Sequence, residues 1–500
     1  MKKTLTFLLA MVMLLSVTAA FAEPTATFSI WTWLGTAESW GAESYDQILA
    51  FAEAEKATET DIEWVIQSDT NTFDLMMSSG DTTDGIYYAW NPVRTAQYSK
   101  AGLIVNIEPF IKDNAPNLYA LIESDPLIKK QLISADGGIY FVPWITPDKT
   151  LVFGEGFGIR QDWLDKLSLS MPTNTDELYA VLKAFRDQDV NGNGLNDELV
   201  TGYPSQINRL TYAFGTADDY HYADDGKTVL FGPMTDNYKE WLKYMNRLYE
   251  DGILDPDYFS WDSDIYMKKV QEDRVGMYVD NPAVFGTMMK DGEANGLTMN
   301  YVPMEYLGGK NLSSAARRYV QPYGVAVSAS CADVGRFLQY FDFFFTQAGN
   351  DLLNWGVEGV SYTVTDGKKA YTEAVLQNET YEPNAALSQY AHPTFVGVQS
   401  AEAALALLTQ EQAAFKTVWA QSDASLAIEP FLAFTPEETD LNTQKQTDLK
   451  TARESWRDKF ITGEKDIDAE WDAYLAELRA YGADELTAVR QAASDRYQAK

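Results

Sequence analysis

Thr25-Ala26-Thr27-Phe28-Ser29-Ile30-Trp31-Thr32-Trp33 is a run in which Phe28, Ile30 and Thr32 alternate with Thr27, Ser29 and Trp31. A period of two sends successive side chains to opposite faces of an extended chain, so residues 25–33 read as a β-strand. Downstream, residues 45–56 carry Ile48, Leu49, Phe51 and Ala52 at helical spacing, and residues 61–67 are extended and rich in β-branched side chains. A short helix over residues 73–79 ends in Gly80-Asp81, and Gly85-Ile86-Tyr87-Tyr88-Ala89-Trp90 is a third strand. Strands alternating with helices predict an α/β fold, a parallel sheet with helices on both faces. Ligands of such sheets sit beyond the carboxyl ends of the strands. Trp31, Trp33, Tyr87, Tyr88 and Trp90 fall there.

Gly137-Gly138 turns into an extended segment ending at Trp144, and Thr146-Pro147-Asp148 is the expected first crossover into a second domain. Asn174, with Glu177 three residues on, opens a helix. That helix runs into Asp189-Val190-Asn191-Gly192-Asn193-Gly194-Leu195-Asn196-Asp197-Glu198. Oxygen-bearing side chains on alternate residues suit calcium, which takes about six to eight oxygens, with Gly at the sixth position for the turn. The donors here are Asp189, Asn191, Asn193, the Leu195 carbonyl and Asp197, and Gly194 stands at the turn. Val200 occupies the place of the usual bidentate Glu, and Glu198 is the substitute. An Asn-Gly-rich surface turn is the competing reading. The density of oxygen donors favours a structural calcium that ties down the loop.

Beyond it, residues 237–249 form an amphipathic helix and residues 274–279 a strand, with Trp261, Tyr278, Asp280 and Asn281 at element ends. Residues 324–328 read as a strand that returns to the first domain, and a helix over residues 334–347 leads toward Trp355. The last hundred residues are mostly helical, with Trp456, Phe460, Ile467, Trp471, Tyr474 and Leu475 as core candidates.

Five hundred residues imply two or three domains. Lys2 and Lys3, the apolar run over residues 8–15 and the small residues up to Ala22 read as a cleaved secretory signal over residues 1–22, with Glu23 as the expected first mature residue. No Cys stands near that point, so a secreted, periplasmic or extracellular protein without a lipid anchor is expected. The single cysteine, Cys331, excludes an intramolecular disulfide. The formal charge of −34 opposes binding to nucleic acid or to an anionic membrane and favours a neutral or weakly charged ligand.

Sugars combine apolar C–H faces with hydroxyl rims, so their sites pair aromatic platforms with a few polar groups. The candidate ligand-binding residues are Trp31, Trp33, Tyr88, Trp90, Trp144, Trp261, Tyr278, Asp280, Asn281, Tyr323 and Trp355. Any one aromatic is by default a packing residue. Enzyme chemistry has little support. With His221 and His392 as the sole histidines, a Ser-His-Asp triad or a zinc site with several His is improbable. A carboxylate pair for glycoside hydrolysis carries no signal among 73 acidic residues. No catalytic residues are assigned, and a glycoside hydrolase or a non-transport ligand sensor stays as the alternative.

The chain resembles the extracellular solute-binding proteins of ABC importers, in the oligosaccharide-binding group that includes the periplasmic alginate-binding protein. Asp74-Leu75-Met76-Met77-Ser78-Ser79-Gly80-Asp81, Ile159-Arg160-Gln161-Asp162-Trp163-Leu164-Asp165-Lys166-Leu167, the loop over residues 189–198, Trp355-Gly356-Val357-Glu358-Gly359-Val360-Ser361-Tyr362 and Phe460-Ile461-Thr462-Gly463-Glu464 carry the resemblance, in that order. It implies a periplasmic-binding-protein-like fold of two hinged α/β lobes, a ligand cleft between them, a helical C-terminal region, and calcium in the loop. Lobe 1 is expected over residues 23–147 plus about 322–395, and lobe 2 over residues 148–321 plus about 396–500. The implied partners are an oligosaccharide and the permease subunits of an ABC transporter, the protein itself being a monomer.

Overall fold

The structure, a computed structural model, describes residues 25–67, 71–200, 204–259 and 263–499. The expected signal segment and Trp261 lie outside the described residues.

Alternation around Phe28 and Ile30 produces β1 (Ala26–Thr32), which lies parallel to β2 (Thr60–Ile66) and β3 (Gly85–Ala89). After β4 (Phe141–Ile145) the chain enters a second sheet through β5 (Gly156–Arg160) and β6 (Leu199–Val200). A hairpin of β7 (Tyr220–Tyr222) and β8 (Val229–Phe231) follows, then β9 (Val275–Asp280) and β10 (Tyr301–Met304). β11 (Val320–Val327) returns to the first sheet, as expected from residues 324–328. A second hairpin, β12 (Tyr362–Thr365) with β13 (Lys368–Tyr371), precedes β14 (Gly397–Val398). The first sheet has the order β14-β4-β11-β3-β1-β2, and the second β10-β5-β9-β6.

The α/β class holds, but the sheets are mixed rather than purely parallel. β11 is antiparallel to both β3 and β4, and β5 is antiparallel to both β9 and β10. A chain that leaves a sheet and comes back at the same edge enters at the end where its neighbours finish, so the returning strand runs against them.

Two large cores accompany the sheets. One gathers Ile30, Phe51, Ile86, Val142, Val325 and Phe341, and the other Phe157, Leu182, Trp241, Val279, Phe285, Trp419 and Phe460. Each such side chain contributes about 1.5–3 kcal/mol on burial. Trp456, Phe460, Ile467, Trp471 and Tyr474 are buried as expected, on the helices Pro436–Ile461 and Ile467–Ala480. Asn174 caps the helix Thr175–Asp187 by accepting the Glu177 N–H at 2.9 Å. The helix expected over residues 334–347 stops at Asp342, because Thr346 turns extended and caps a new helix, Gln347–Trp355, through the Gly349 N–H. Cys331 is a buried core residue whose thiol is pushed up to about 11 by burial.

Candidate functional site: the carboxyl edges of two sheets

Strand register places the passages between the sheets. Val320, at the start of β11, and Val398, at the end of β14, both pair with Ile145, the last residue of β4. The chain therefore leaves, re-enters and leaves the first sheet at one edge, the carboxyl edge of β1, β3 and β4. In the second sheet, Gly156 at the entry of β5 pairs with Asp280 at the carboxyl end of β9, and Phe157 pairs with Met304 at the end of β10. The carboxyl ends of β9 and β10 thus lie at the end of the second sheet where the chain arrives from the first.

At the first edge the aromatic candidates converge. Trp33 is half-buried, its ring centroid 5.2 Å from Tyr87, 5.8 Å from Tyr88 and 5.9 Å from Tyr323. Tyr323, 36% exposed, is the most open of the group. Tyr88 stacks on Phe73 at 3.7 Å with the Arg94 guanidinium 4.7 Å from its ring centroid, so one face is already occupied. Trp31 is buried beneath them, edge-on to Trp33 and Tyr88. Tyr87, read at the same strand end but not counted among the ligand-binding candidates, is buried, and its hydroxyl donates to the Thr394 carbonyl at 2.9 Å.

Other candidates go elsewhere. Trp90 is buried, its indole N–H shared between the Ile86 and Gly324 carbonyls at 3.3 and 3.2 Å. Trp355 is buried in a small separate core, 4.6 Å from Tyr371. Neither presents a free face, because the hydrophobic gain from covering an indole there exceeds that from leaving it wet. Tyr278 is buried opposite Gly158. Trp144 is half-buried beside Gly397.

Asp280 and Asn281 stand at the end of β9. The Asp280 carboxylate, raised by burial, accepts the Asn281 N–H at 2.7 Å and its side-chain amide at 2.9 Å, while the Asn281 oxygen caps the helix Pro282–Ala294. Near Asp280 the structure adds two groups that carry no periodic signal in the sequence, Glu155 and Arg209, which form an ion pair. Burial opposes the Arg209 charge, but Tyr306 and Glu155 beside it hold its pKa above the ordinary value. Tyr306 also donates to the Glu155 carbonyl at 2.8 Å.

The loop after the helix Thr175–Asp187 keeps two carboxylate oxygens buried without a hydrogen-bond partner, Asp189 Oδ1 and Glu198 Oε2. Their companions are used: Asp189 Oδ2 accepts the Gly194 N–H at 2.9 Å, and Glu198 Oε1 the Asn191 N–H at 3.1 Å. Burial raises the Glu198 carboxyl. Asp189 takes a left-handed φ of 44°, and Gly192 and Gly194 take 78° and 85°, which folds the loop back on itself. Asn191 and Asn193 accept backbone N–H groups within the loop, and Asp197 is held by Arg274 at 2.9 Å. Among the described residues no group of three or more His, Cys, Asp or Glu is placed to hold a metal. The two orphan oxygens nonetheless fit a calcium ion, whose remaining ligands are amide and carbonyl oxygens of the kind this loop supplies.

Two mixed sheets that share three chain passages, with aromatic and polar groups on their carboxyl edges, define a ligand-binding architecture of the periplasmic-binding-protein type. The chain belongs to the family of bacterial extracellular solute-binding proteins, whose model matches residues 39–351. Among curated relatives it is 29% identical over 481 residues to the fructooligosaccharide ABC transporter substrate-binding protein FusA of Streptococcus pneumoniae, covering 89% of this chain and 86% of that protein. A solved structure of a FusA EF-hand mutant in complex with fructo-nystose aligns with TM-score 0.68 at 23% identity, covering 95% and 99% of the two chains. Alginate-binding protein AlgQ2 without calcium ion aligns with TM-score 0.68 at 24% identity and the same coverage. An HMO binding ABC-transporter associated solute-binding protein of Bifidobacterium longum infantis aligns with TM-score 0.74 at 19% identity, over 94% and 99%. Among the described residues no helix is long and apolar enough to cross a membrane.

Proposed function

We propose that this protein captures an oligosaccharide between two lobes and delivers it to the permease of an ABC importer, binding its cargo without chemical change. The observation that carries the reading is the partly open ring cluster of Trp33, Tyr88 and Tyr323 at the edge where the chain passes between the sheets. Half-buried aromatic faces held rigidly by one another suit the apolar faces of sugar rings, and the Glu155, Arg209 and Asp280 group at the other sheet suits hydroxyls. FusA, AlgQ2 and the Bifidobacterium protein support carbohydrate as the cargo class.

The lobes are proposed as residues 23–147 with 322–395, and 148–321 with 396–500. The membership of the two large cores supports this division, with Val320 and Val396 at its borders and Phe431 as exceptions that belong to the first core. Ligand closes the hinge only to the extent that it binds the closed form more tightly. We also propose calcium in the loop over residues 189–198, where Asp189 and Glu198 would hold it with Asn191, Asn193, Asp197 and the Leu195 carbonyl. Bound calcium supplies charge balance for buried carboxylates and no reaction chemistry.

The test is a thermal-shift screen of the secreted protein against plant and microbial oligosaccharides. Ligand that binds only the folded state raises Tm, by about 2.7 kcal/mol of stability at a hundredfold excess over Kd. One glycan shifting Tm and recovered intact supports capture, whereas recovery of cleaved sugar points to a hydrolase.

A further inference from the structure

Lys416, on the helix Gln410–Trp419, lines a cavity of about 370 Å³ whose walls come from both halves of the molecule. Thr36 and Ala37 follow β1 of the first sheet, Leu151 lies on the short helix Lys149–Val152 that follows the first passage, and His392 and Thr394 come from the loop before β14. The cavity adjoins the aromatic cluster, because the Tyr87 hydroxyl holds the Thr394 carbonyl while its ring stands 5.2 Å from Trp33. The volume falls within the roughly 300–1,000 Å³ of small-ligand pockets.

Its charge is unusual for this protein. The chain has 73 acidic residues against 39 basic ones, yet no Asp or Glu is among the residues that line the cavity. His392 is neutral at pH 7, since burial lowers its pKa to about 4. Lys416 is therefore the one charged group in the lining. Its Nζ has the Thr150 carbonyl at 3.5 Å, and no carboxylate among the described residues forms an ion pair with it. Removing an ammonium from water without a counter-charge is costly, and burial lowers its pKa accordingly. A charge held at that cost beside a cavity is complementary to an anion that arrives with the ligand.

We infer that this cavity is the subsite for an acidic end of the cargo, in which a carboxylate such as that of a uronic acid pairs with Lys416 while the sugar ring lies against Leu151 and Pro393. The inference rests on the carbohydrate reading above and narrows it: one carboxylate per ligand end remains compatible with the strongly negative surface.

An aldouronic acid, an oligosaccharide with a single uronic acid at its non-reducing end, and its neutral methyl ester, titrated into the wild-type protein and into Lys416→Met, test it. Methionine keeps an unbranched apolar stem, and an unchanged Tm shows that the variant folds. The wild type is expected to bind the acid at least about tenfold more tightly than the ester, as a charge-assisted hydrogen bond in a poorly solvated site allows, and Lys416→Met to bind both alike. Equal affinity of the wild type for acid and ester, or a preference that survives in Lys416→Met, overturns the subsite and leaves carbohydrate capture standing. If neither oligosaccharide binds, the carbohydrate reading is decided by the glycan screen above, and the subsite by NMR of the ¹³C-dimethylated protein, with Lys416 assigned by its loss in the variant. A Lys416 signal moved by glucuronate and not by glucose sustains the anion subsite; a signal moved by neither, or equally by both, overturns it.

Discussion

Trp33 keeps part of its indole in solvent while Tyr87, Tyr88 and Tyr323 bracket it at 5.2–5.9 Å. Removing it takes away contact area for a ligand more than core packing, so Trp33→Ala is expected to weaken oligosaccharide binding about tenfold or more with little change in stability. Trp355→Ala behaves oppositely: its buried ring leaves a cavity that costs about 3–5 kcal/mol, read by urea unfolding, and any loss of binding follows from unfolding. Glu55 offers a pH test at the same scale. Burial, with Asp46 nearby, raises its carboxyl to about 8 from the ordinary 4.5. The folded state then holds a proton that the unfolded state has released, so the stability Glu55 contributes is present below about pH 4.5 and is lost as pH rises through about 8. The Tm of wild type minus that of Glu55→Gln should fall across this window and level off above it; a flat difference refutes the assignment.

The loop over residues 189–198 is an element whose stability depends on charge as well as on packing. Val190 anchors it in the core at 1% exposure and Leu195 is 59% exposed, whereas Glu198 is 1% exposed with one oxygen unsatisfied. A buried, unpaired carboxylate oxygen costs about 1–3 kcal/mol or more, a cost that the proposed calcium would offset. Chelator is therefore expected to lower Tm in the wild-type protein and to have no effect on Glu198→Gln, measured by scanning calorimetry. An unchanged wild-type Tm in excess chelator would sink the calcium assignment. The neighbouring strand β5 shows a different constraint. A side chain at Gly158 would place its Cβ 2.3 Å from the Phe285 ring, so the absence of a side chain lets the helix Pro282–Ala294 pack onto the sheet.

At the scale of the whole molecule, the pairing of both Val320 and Val398 with Ile145 matters most. In the proposed two-lobe reading, passages gathered at one sheet edge would let the two bodies rotate about a common line, and that edge is where the aromatic cluster lies. A ligand touching both bodies gains contacts only when they approach, which couples binding to closure without a separate switch. The cavity beside Lys416, lined by residues of both proposed lobes, would change with the same motion.

The sequence by itself determined the local elements and their class. The alternation through Phe28, Ile30 and Thr32, the Asn174 cap and the apolar rows of the last helices are short-range signals, and they folded as read. It also determined the oxygen-rich pattern of the loop over residues 189–198, because those residues lie within ten of one another. Tertiary structure alone decided which tryptophans stay open. Trp33, Trp90 and Trp355 all sit beside strand ends or Gly in the sequence, and what covers the last two, Gly324 across the sheet and Tyr371 from a hairpin, comes from 234 and 16 residues away. The same holds for Glu155 with Arg209 and for Lys416 with Thr36: their meeting depends on long-range packing, and no periodicity along the chain records it.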